Sequence, residues 1–265
     1  MKIKQKISVS IILIIFLLVL ASGGIFTIGT LGVFAQNTDS TPKNIPRIVL
    51  VELFVQGGCT SCPTAEFCLE DLAWEYGTTQ LILVEEHLWG DGYDTPETNA
   101  RYDWYVGDGK KGTPDLFIDG LTKRLQGLSC DCVERNYECY KDAIDEELTQ
   151  PSLLEISASK ILIESEYIIE GTVKNISDIP LKDLAVCGMV GKEGDESGLY
   201  NYIQDIFPFQ GIPSLLPGAA FNFKFIPEIS LAPESGTDEE GEVLHLIIFV
   251  QNTETKEILQ ALYVE

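Results

Sequence analysis

From Ile48 to Val55 the chain is apolar at almost every position, the pattern of a strand buried on both faces rather than of one with a solvated side. Ala65, Cys68, Leu69, Leu72 and Tyr76 then recur at helical spacing, so Thr64–Tyr76 is expected to be a helix with one apolar stripe. Leu81–Leu88 reads as a second strand and Thr95–Val106 as a second helix. Two short strands follow, Pro114–Ile118 and Thr122–Gln126, joined through Asp119-Gly120, a strong hairpin signal. Val133–Leu148 closes this stretch as a helix with Val133, Tyr137, Tyr140, Ile144 and Leu148 on one face. The predicted order is strand, helix, strand, helix, strand, strand, helix.

From Pro151 onward the pattern changes. Leu153–Ile163, Glu166–Val173, Leu184–Val190, Phe221–Phe225, Val243–Val250 and Ile258–Val264 are strand-like runs divided by Gly, Pro, Asn and acidic turns. Phe221-Asn-Phe223-Lys-Phe225 alternates as a half-buried strand does. Such spacing predicts an antiparallel all-β sandwich over residues 151–265. The run from Val173 to Asp178, followed by Leu184-Ala-Val186, resembles the strand connection of immunoglobulin-like modules. Asn175-Ile-Ser177 fits a glycosylation acceptor, and His245 stands alone within a strand.

Before the first strand, Lys2, Lys4 and Lys6 precede an apolar run from Ile7 to Leu20 and an uncharged stretch to Ala35. This reads as an export signal, with cleavage after Val33-Phe34-Ala35, or as an uncleaved anchor helix, since the stretch is long enough to cross a bilayer of roughly 30 Å. In either case the lysines stay inside, and the chain is exported beyond the cytoplasmic membrane. Residues 1–35 are therefore signal or membrane anchor and residues 36–46 a polar linker. The charge reinforces an exported, soluble body: 18 Lys and Arg stand against 41 Asp and Glu, and without the three signal lysines 15 stand against 41, a net −26. A surface this acidic repels phosphate backbones, which excludes nucleic acid as a partner.

The chemistry lies in the cysteines. Six of seven are in the first half, and Cys187 sits alone in an apolar strand, as a small buried hydrophobe. Cys59-x-x-Cys62 directly follows the first strand and opens the first helix, where orphan N–H groups and the helix dipole favour a thiolate. Outside the cytoplasm disulfides persist, so the spacing points to a dithiol/disulfide redox centre. Glu85, Glu86 and His87 end the second strand, where a lone histidine beside carboxylates reads as a loop residue with local hydrogen bonds rather than a metal ligand. Gly107-Asp-Gly109-Lys-Lys-Gly112 lacks the order of a phosphate loop. No cofactor is implied.

Cys59-Thr-Ser-Cys62-Pro63 after Glu52-Leu-Phe-Val-Gln56, together with Thr113-Pro114-x-x-Phe117-Ile-Asp119-Gly120, resembles the signatures of exported thioredoxin-like proteins similar to small bacterial outer-membrane proteins. The resemblance covers residues 47–150 and implies an α/β thioredoxin-like domain ahead of the sandwich. It further implies that Cys59 is the attacking thiol, Cys62 the resolving thiol, and Pro114 a cis proline shaping the substrate groove. Glu52 falls one residue from the place of the buried acid that assists proton transfer, and is expected either in that role or solvated or satisfied by the backbone. The chain lacks a Trp before Cys59 and a Gly-Pro between the cysteines, so no redox potential is inherited.

Cys130-Asp131-Cys132 follows the fourth strand, and three readings stand for it. It is a second redox pair serving Cys59 and Cys62; it forms structural disulfides with Cys68 or Cys139; or four thiolates hold Zn²⁺ or Cu⁺. Structural bridging accords with an exported domain, and a Cys68–Cys139 bridge follows from the resemblance, because the first and last helices share one face of the sheet. C-x-C in one loop is poor zinc spacing, so no metal is assigned. The expected function is an extracytoplasmic thiol/disulfide oxidoreductase acting on protein thiols and disulfides, with a membrane redox partner compatible with an anchored N-terminus. A non-enzymatic binding or envelope-assembly module with structural disulfides is the alternative.

Overall fold

In the computed structural model, residues 45–127, 133–163, 166–192, 201–227 and 244–264 are described. The signal or anchor segment, most of the linker and the pair Cys130 and Cys132 lie outside them. Among the described residues no helix is long and apolar enough to cross a membrane.

The first half forms β1 (Val49–Val55), α1 (Cys62–Tyr76), β2 (Leu81–His87), α2 (Pro96–Val106), β3 (Asp115–Ile118), β4 (Lys123–Gln126) and α3 (Val133–Leu148), in the order the hydrophobic pattern predicts. β1 and β2 run parallel, with Val55 beside His87, while β3 returns antiparallel to β1 with Asp115 opposite Phe54. Every residue of β1 and β2 is buried, as the apolar run of β1, broken only by Glu52, leads one to expect. The four-residue β3–β4 connection, Asp119 to Thr122, opens with Asp119 at φ 46° and Gly120 at φ 69°, both left-handed. Glycine is required at 120 for a second reason: a Cβ there would lie 2.0 Å from the Lys256 carbonyl.

The second half forms β5 (Leu154–Ile163), β6 (Glu166–Asn175), β7 (Leu184–Lys192), β8 (Tyr202–Ile206), β9 (Gln210–Ile212), β10 (Ala220–Phe225), β11 (Leu244–Asn252) and β12 (Ile258–Val264). β8 and β9 carry too little alternation to be read in advance. β10, β6 and β5 make a three-stranded sheet. The other strands correct the predicted fold class. An α/β thioredoxin-like domain followed by an all-β immunoglobulin-like sandwich is not what forms: the chain is mostly β, with three helices among the described residues, and one nine-stranded mixed sheet runs β12-β11-β7-β8-β2-β1-β3-β4 with β9 on β7. β8 joins the two arms, parallel to β2 at Glu85–Tyr202 and antiparallel to β7.

The cause is visible in β7 and β11, which are apolar on both sides. Val186, Val190, Leu246, Ile248 and Val250 pack with Leu154, Ile169 and Phe223 of the small sheet, as in a sandwich. Cys187, Met189, Ile247 and Phe249 face the other way, against Leu50, Ile82 and Val84 of the first half. A strand with one solvated face would not need that second layer. The two halves therefore share an apolar core, sealed at one end by Arg47. Its guanidinium donates to Asp119 Oδ2 at 3.1 and 2.7 Å and to the carbonyls of Leu259 and Ile258 at 3.0 and 2.9 Å.

Asn175 is not a glycosylation acceptor in this fold. It is fully buried, and its amide donates to the carbonyls of Ile179 and Leu215, both at 2.8 Å.

Candidate redox site

β1 ends at Val55, and the chain reverses through Gln56-Gly57-Gly58-Cys59, where the Cys59 N–H donates to Gln56 O at 3.1 Å. Gly58 takes φ 81°, the left-handed conformation that the third position of a type II turn needs. α1 then starts without a conventional cap: the Ser61 side chain makes no capping hydrogen bond. Sulfur takes its place. The Cys62 N–H donates to Cys59 Sγ at 3.1 Å, and Ser61 Oγ lies 3.7 Å from the same sulfur. The first turn of α1 holds no acidic residue, so no carboxylate of the helix itself opposes its positive end at Cys59.

Cys59 and Cys62 are joined as a disulfide with Cα atoms 5.5 Å apart. Their environments differ. Cys62 is 2% exposed and packs with Ala65, Cys68 and Leu69, whereas Cys59 is half-buried in a turn whose neighbours are open to solvent. Cys59 is thus the more accessible sulfur of the two. The Thr113–Pro114 peptide is cis, as the resemblance implies. Because Asp115 pairs with Phe54, Pro114 enters β3 at the edge from which the cysteine turn leaves β1. Asp115 is fixed there by the Tyr102 hydroxyl at 2.8 Å and by Arg124, whose Nε and Nη2 donate at 2.9 and 2.6 Å.

Glu52 is the main correction at the site. Val49, Val51, Leu53 and Val55 share their core with Cys62 and Cys68, so the even positions of β1 point to the opposite face. Glu52 lies there, buried, accepting from Arg101 Nε and from the Tyr105 hydroxyl at 2.6 Å. The one-residue offset from the expected place puts its carboxyl on the wrong side of the sheet for Cys59. It belongs instead to a buried cluster that includes Gln251 of β11 and Glu86 of β2, 3.7 Å from Arg101. Burial, and then the Glu52 charge, hold Glu86 far above the ordinary carboxylate range. This cluster escapes sequence reading because its members come from β1, β2, α2 and β11.

Cys68 is a buried thiol on α1, and burial followed by the Asp71 charge raises its pKa. Cys139 is disulfide-bonded, so the implied Cys68–Cys139 bridge is absent. Both cysteines lie where α1 and α3 cover one face of the sheet, but proximity of helices does not bring two particular Cβ vectors together. Cys187 is fully buried in β7 and its thiol is pushed up strongly by burial. Among the described residues no group of three or more His, Cys, Asp or Glu side chains is placed to hold a metal ion.

His87 does not stand alone. Its Nδ1 lies 2.7 Å from Asp91 Oδ2 in the β2–α2 connection, and Trp89 and Tyr93 of that connection are partly exposed beside the site. His245, in the distant arm, pairs with Asn201 Oδ1 and packs on the Tyr263 ring.

No protein-family profile matches the chain, and no curated protein does. Among solved structures it is similar to HBP35 of Porphyromonas gingivalis, with a TM-score of 0.60 and 16% identity over 83% of this chain and 75% of that one. A domain of the outer membrane lipoprotein Omp28 from P. gingivalis matches 43% of this chain and 88% of its own, at 16% identity and a TM-score of 0.29. A Bacteroides uniformis β-glucuronidase matches over 42% of this chain and 12% of its own, at 21% identity and a TM-score of 0.29. The likeness to HBP35, which spans both halves, is one of overall fold.

Proposed function

We propose that the protein is an extracytoplasmic thiol/disulfide oxidoreductase that exchanges the Cys59–Cys62 disulfide with thiols of protein substrates. The observation that carries this reading is the pairing itself: the two cysteines are bonded to each other, the outer sulfur half-buried and the inner one sealed beneath the first turn of α1. In the oxidising direction a substrate thiolate attacks Cys59 Sγ, the Cys59–Cys62 bond breaks, and Cys62 leaves as thiolate. A second substrate thiolate then attacks the substrate sulfur of the mixed disulfide and expels Cys59. Two electrons and two protons pass to the protein, which becomes the dithiol, and the substrate gains a disulfide. The reverse sequence starts from a Cys59 thiolate held by the Cys62 N–H. An envelope location is supported by the lysines and apolar run at the N-terminus.

Cys62→Ser is expected to accumulate mixed disulfides at Cys59, and Cys59→Ser to accumulate none. Non-reducing electrophoresis of envelope extracts followed by mass spectrometry checks this, and absence of mixed disulfides from both variants refutes it. The exposed rings of Phe67 and Trp74 on the outer side of α1 favour a second reading, a binding module in which the disulfide is structural. In that case reduction by dithiothreitol unfolds the site; in the redox case the fold survives it.

A further inference from the structure

The connection after β2 folds Asp91 back onto the cysteine turn. Its Oδ2 accepts from the Gly57 N–H at 2.9 Å and lies 2.7 Å from His87 Nδ1, while Oδ1 accepts from the Tyr93 N–H at 3.0 Å. The Asp91 side chain is 3% exposed although it belongs to a loop. A Cβ on Gly57 would lie 3.0 Å from Asp91 Cβ, so acid and turn are in contact. His87 is held by the rings of Tyr93 and Tyr202, at 5.2 and 6.2 Å, and its Nε2 lies 3.9 Å from Glu85. Asp94 adds a second acid beside Asp91 in the same loop. Burial opposes charge on Asp91, but the hydrogen bonds from His87, Tyr93 and Gly57 outweigh it and keep the carboxyl below its ordinary range.

We propose that Asp91, oriented by His87, is a positioning residue for the redox pair: it pins the Gln56–Cys59 turn and sets a negative charge against the backbone two residues before the attacking sulfur. The inference rests on the exchange function proposed above. Both effects favour the disulfide over the dithiol. A pinned turn keeps Cys59 within bonding reach of Cys62, so less freedom is lost when the bond closes. A neighbouring carboxylate disfavours the thiolate of the reduced form.

The test equilibrates the full exported chain with glutathione buffers of fixed ratio. Each disulfide consumes two glutathione thiols and yields the Cys59/Cys62 dithiol and one glutathione disulfide, and alkylation with mass spectrometry counts the two forms. Loss of a charge-assisted hydrogen bond is expected to lower the equilibrium constant for the disulfide about tenfold in Asp91→Ala. For a two-electron couple that raises the potential by about 30 mV. Asp91→Asn keeps an acceptor oxygen and loses the charge, so its shift is smaller in the same direction. Gly57→Ala shifts the same way by pushing the carboxylate off the turn. If the unaltered chain exchanges with glutathione while Asp91→Ala stays within twofold of it, the positioning role is overturned. Should Asp91→Ala not fold, Asp91→Asn and Gly57→Ala decide, and neither moving beyond twofold overturns it. Failure of the unaltered chain to exchange at all refutes the redox function itself, and the positioning role falls with it.

Discussion

Arg47→Ala tests whether the two halves of the sequence fold as one unit. Arg47 is 6% exposed and precedes β1, yet two of its four hydrogen bonds go to carbonyls of β12 and two to Asp119 in the β3–β4 turn. Asp119 is fully buried, and its other oxygen accepts from the Leu50 N–H at 2.9 Å. Removing the guanidinium leaves an unpaired buried carboxylate, two buried carbonyls without their donor, and Glu147, 3.6 Å away, without its cation. Breaking one side of a buried pair costs about 3–5 kcal/mol, a large part of the roughly 5–15 kcal/mol that holds a domain together. With a urea slope of about 3 kcal/mol/M for a protein of this size, the midpoint should fall by about 1–2 M. Burial pushes the Asp119 pKa up to about 7, and Arg47 is the chief opposing influence. An acid whose folded value lies above its unfolded one costs stability as pH rises past the unfolded value of about 4. Without Arg47 the folded value climbs further, so the loss should be larger at pH 8 than at pH 5, where Asp119 holds its proton. Urea melts at both pH values, followed by tryptophan fluorescence from the first half and by the reactivity of the buried Cys187 thiol in the second, provide the measurement. A loss below about 1 kcal/mol at pH 8, or transitions in which the two probes separate, would refute the reasoning.

Gly171→Ala should destabilise the small sheet, because the new Cβ would stand 2.3 Å from both Phe223 Cζ and the Ser157 carbonyl, and backbone cannot yield as a side-chain tip can. A cost of about 1–3 kcal/mol lowers the melting temperature by several degrees while leaving thiol exchange at Cys59 unchanged; an unchanged melting temperature sinks the prediction. In the native oxidised protein at pH 7, Cys68 and Cys187 should resist a maleimide reagent and become labelled on denaturation, since both thiols are buried and burial raises their pKa. Peptide mass spectrometry reads each site, and labelling of either at the rate of the unfolded chain contradicts its placement.

Local pattern carried the secondary structure well wherever one segment decides its own fate. β1, α1, α3 and β12 fall within two residues of their expected limits because an apolar run, a helical stripe or a flanking glycine fixes each. The cysteine pair was legible for the same reason: four consecutive positions after a strand are enough to build the turn and the helix start. Partnership between segments was not legible. Nothing in Leu184–Lys192 says that its second apolar face meets Leu50 and Val84 across about 100 residues of chain. Glu52 shows how sharp the limit is, since strand side chains alternate and a shift of one position reverses the face. Asp91 left no mark either, because an acid in a loop is ordinary until the loop is folded back.

The geometry that makes a site of these pieces follows from strand direction. β1 and β2 are parallel, so the turn at Gln56–Cys59 and the connection at Leu88–Asp94 leave the sheet at the same edge, and the Leu88 N–H donates to Val55 O at 3.0 Å between them. β3 runs the other way, so it begins at that edge and brings Pro114 there. Three segments distant in sequence thus meet at the sheet edge where the cysteine turn and the start of α1 lie. The strands buried on both faces supply the rigidity: a turn anchored on β1 cannot shift without moving Leu53 and Val55 out of one core and Phe54 out of another. Of the acids near this edge, Asp91 is hydrogen-bonded to the cysteine turn while Glu52 is bound to Arg101 beneath the sheet. The carboxylate that can bias Cys59 is therefore the one supplied by the loop, and its influence travels through the Gly57 N–H.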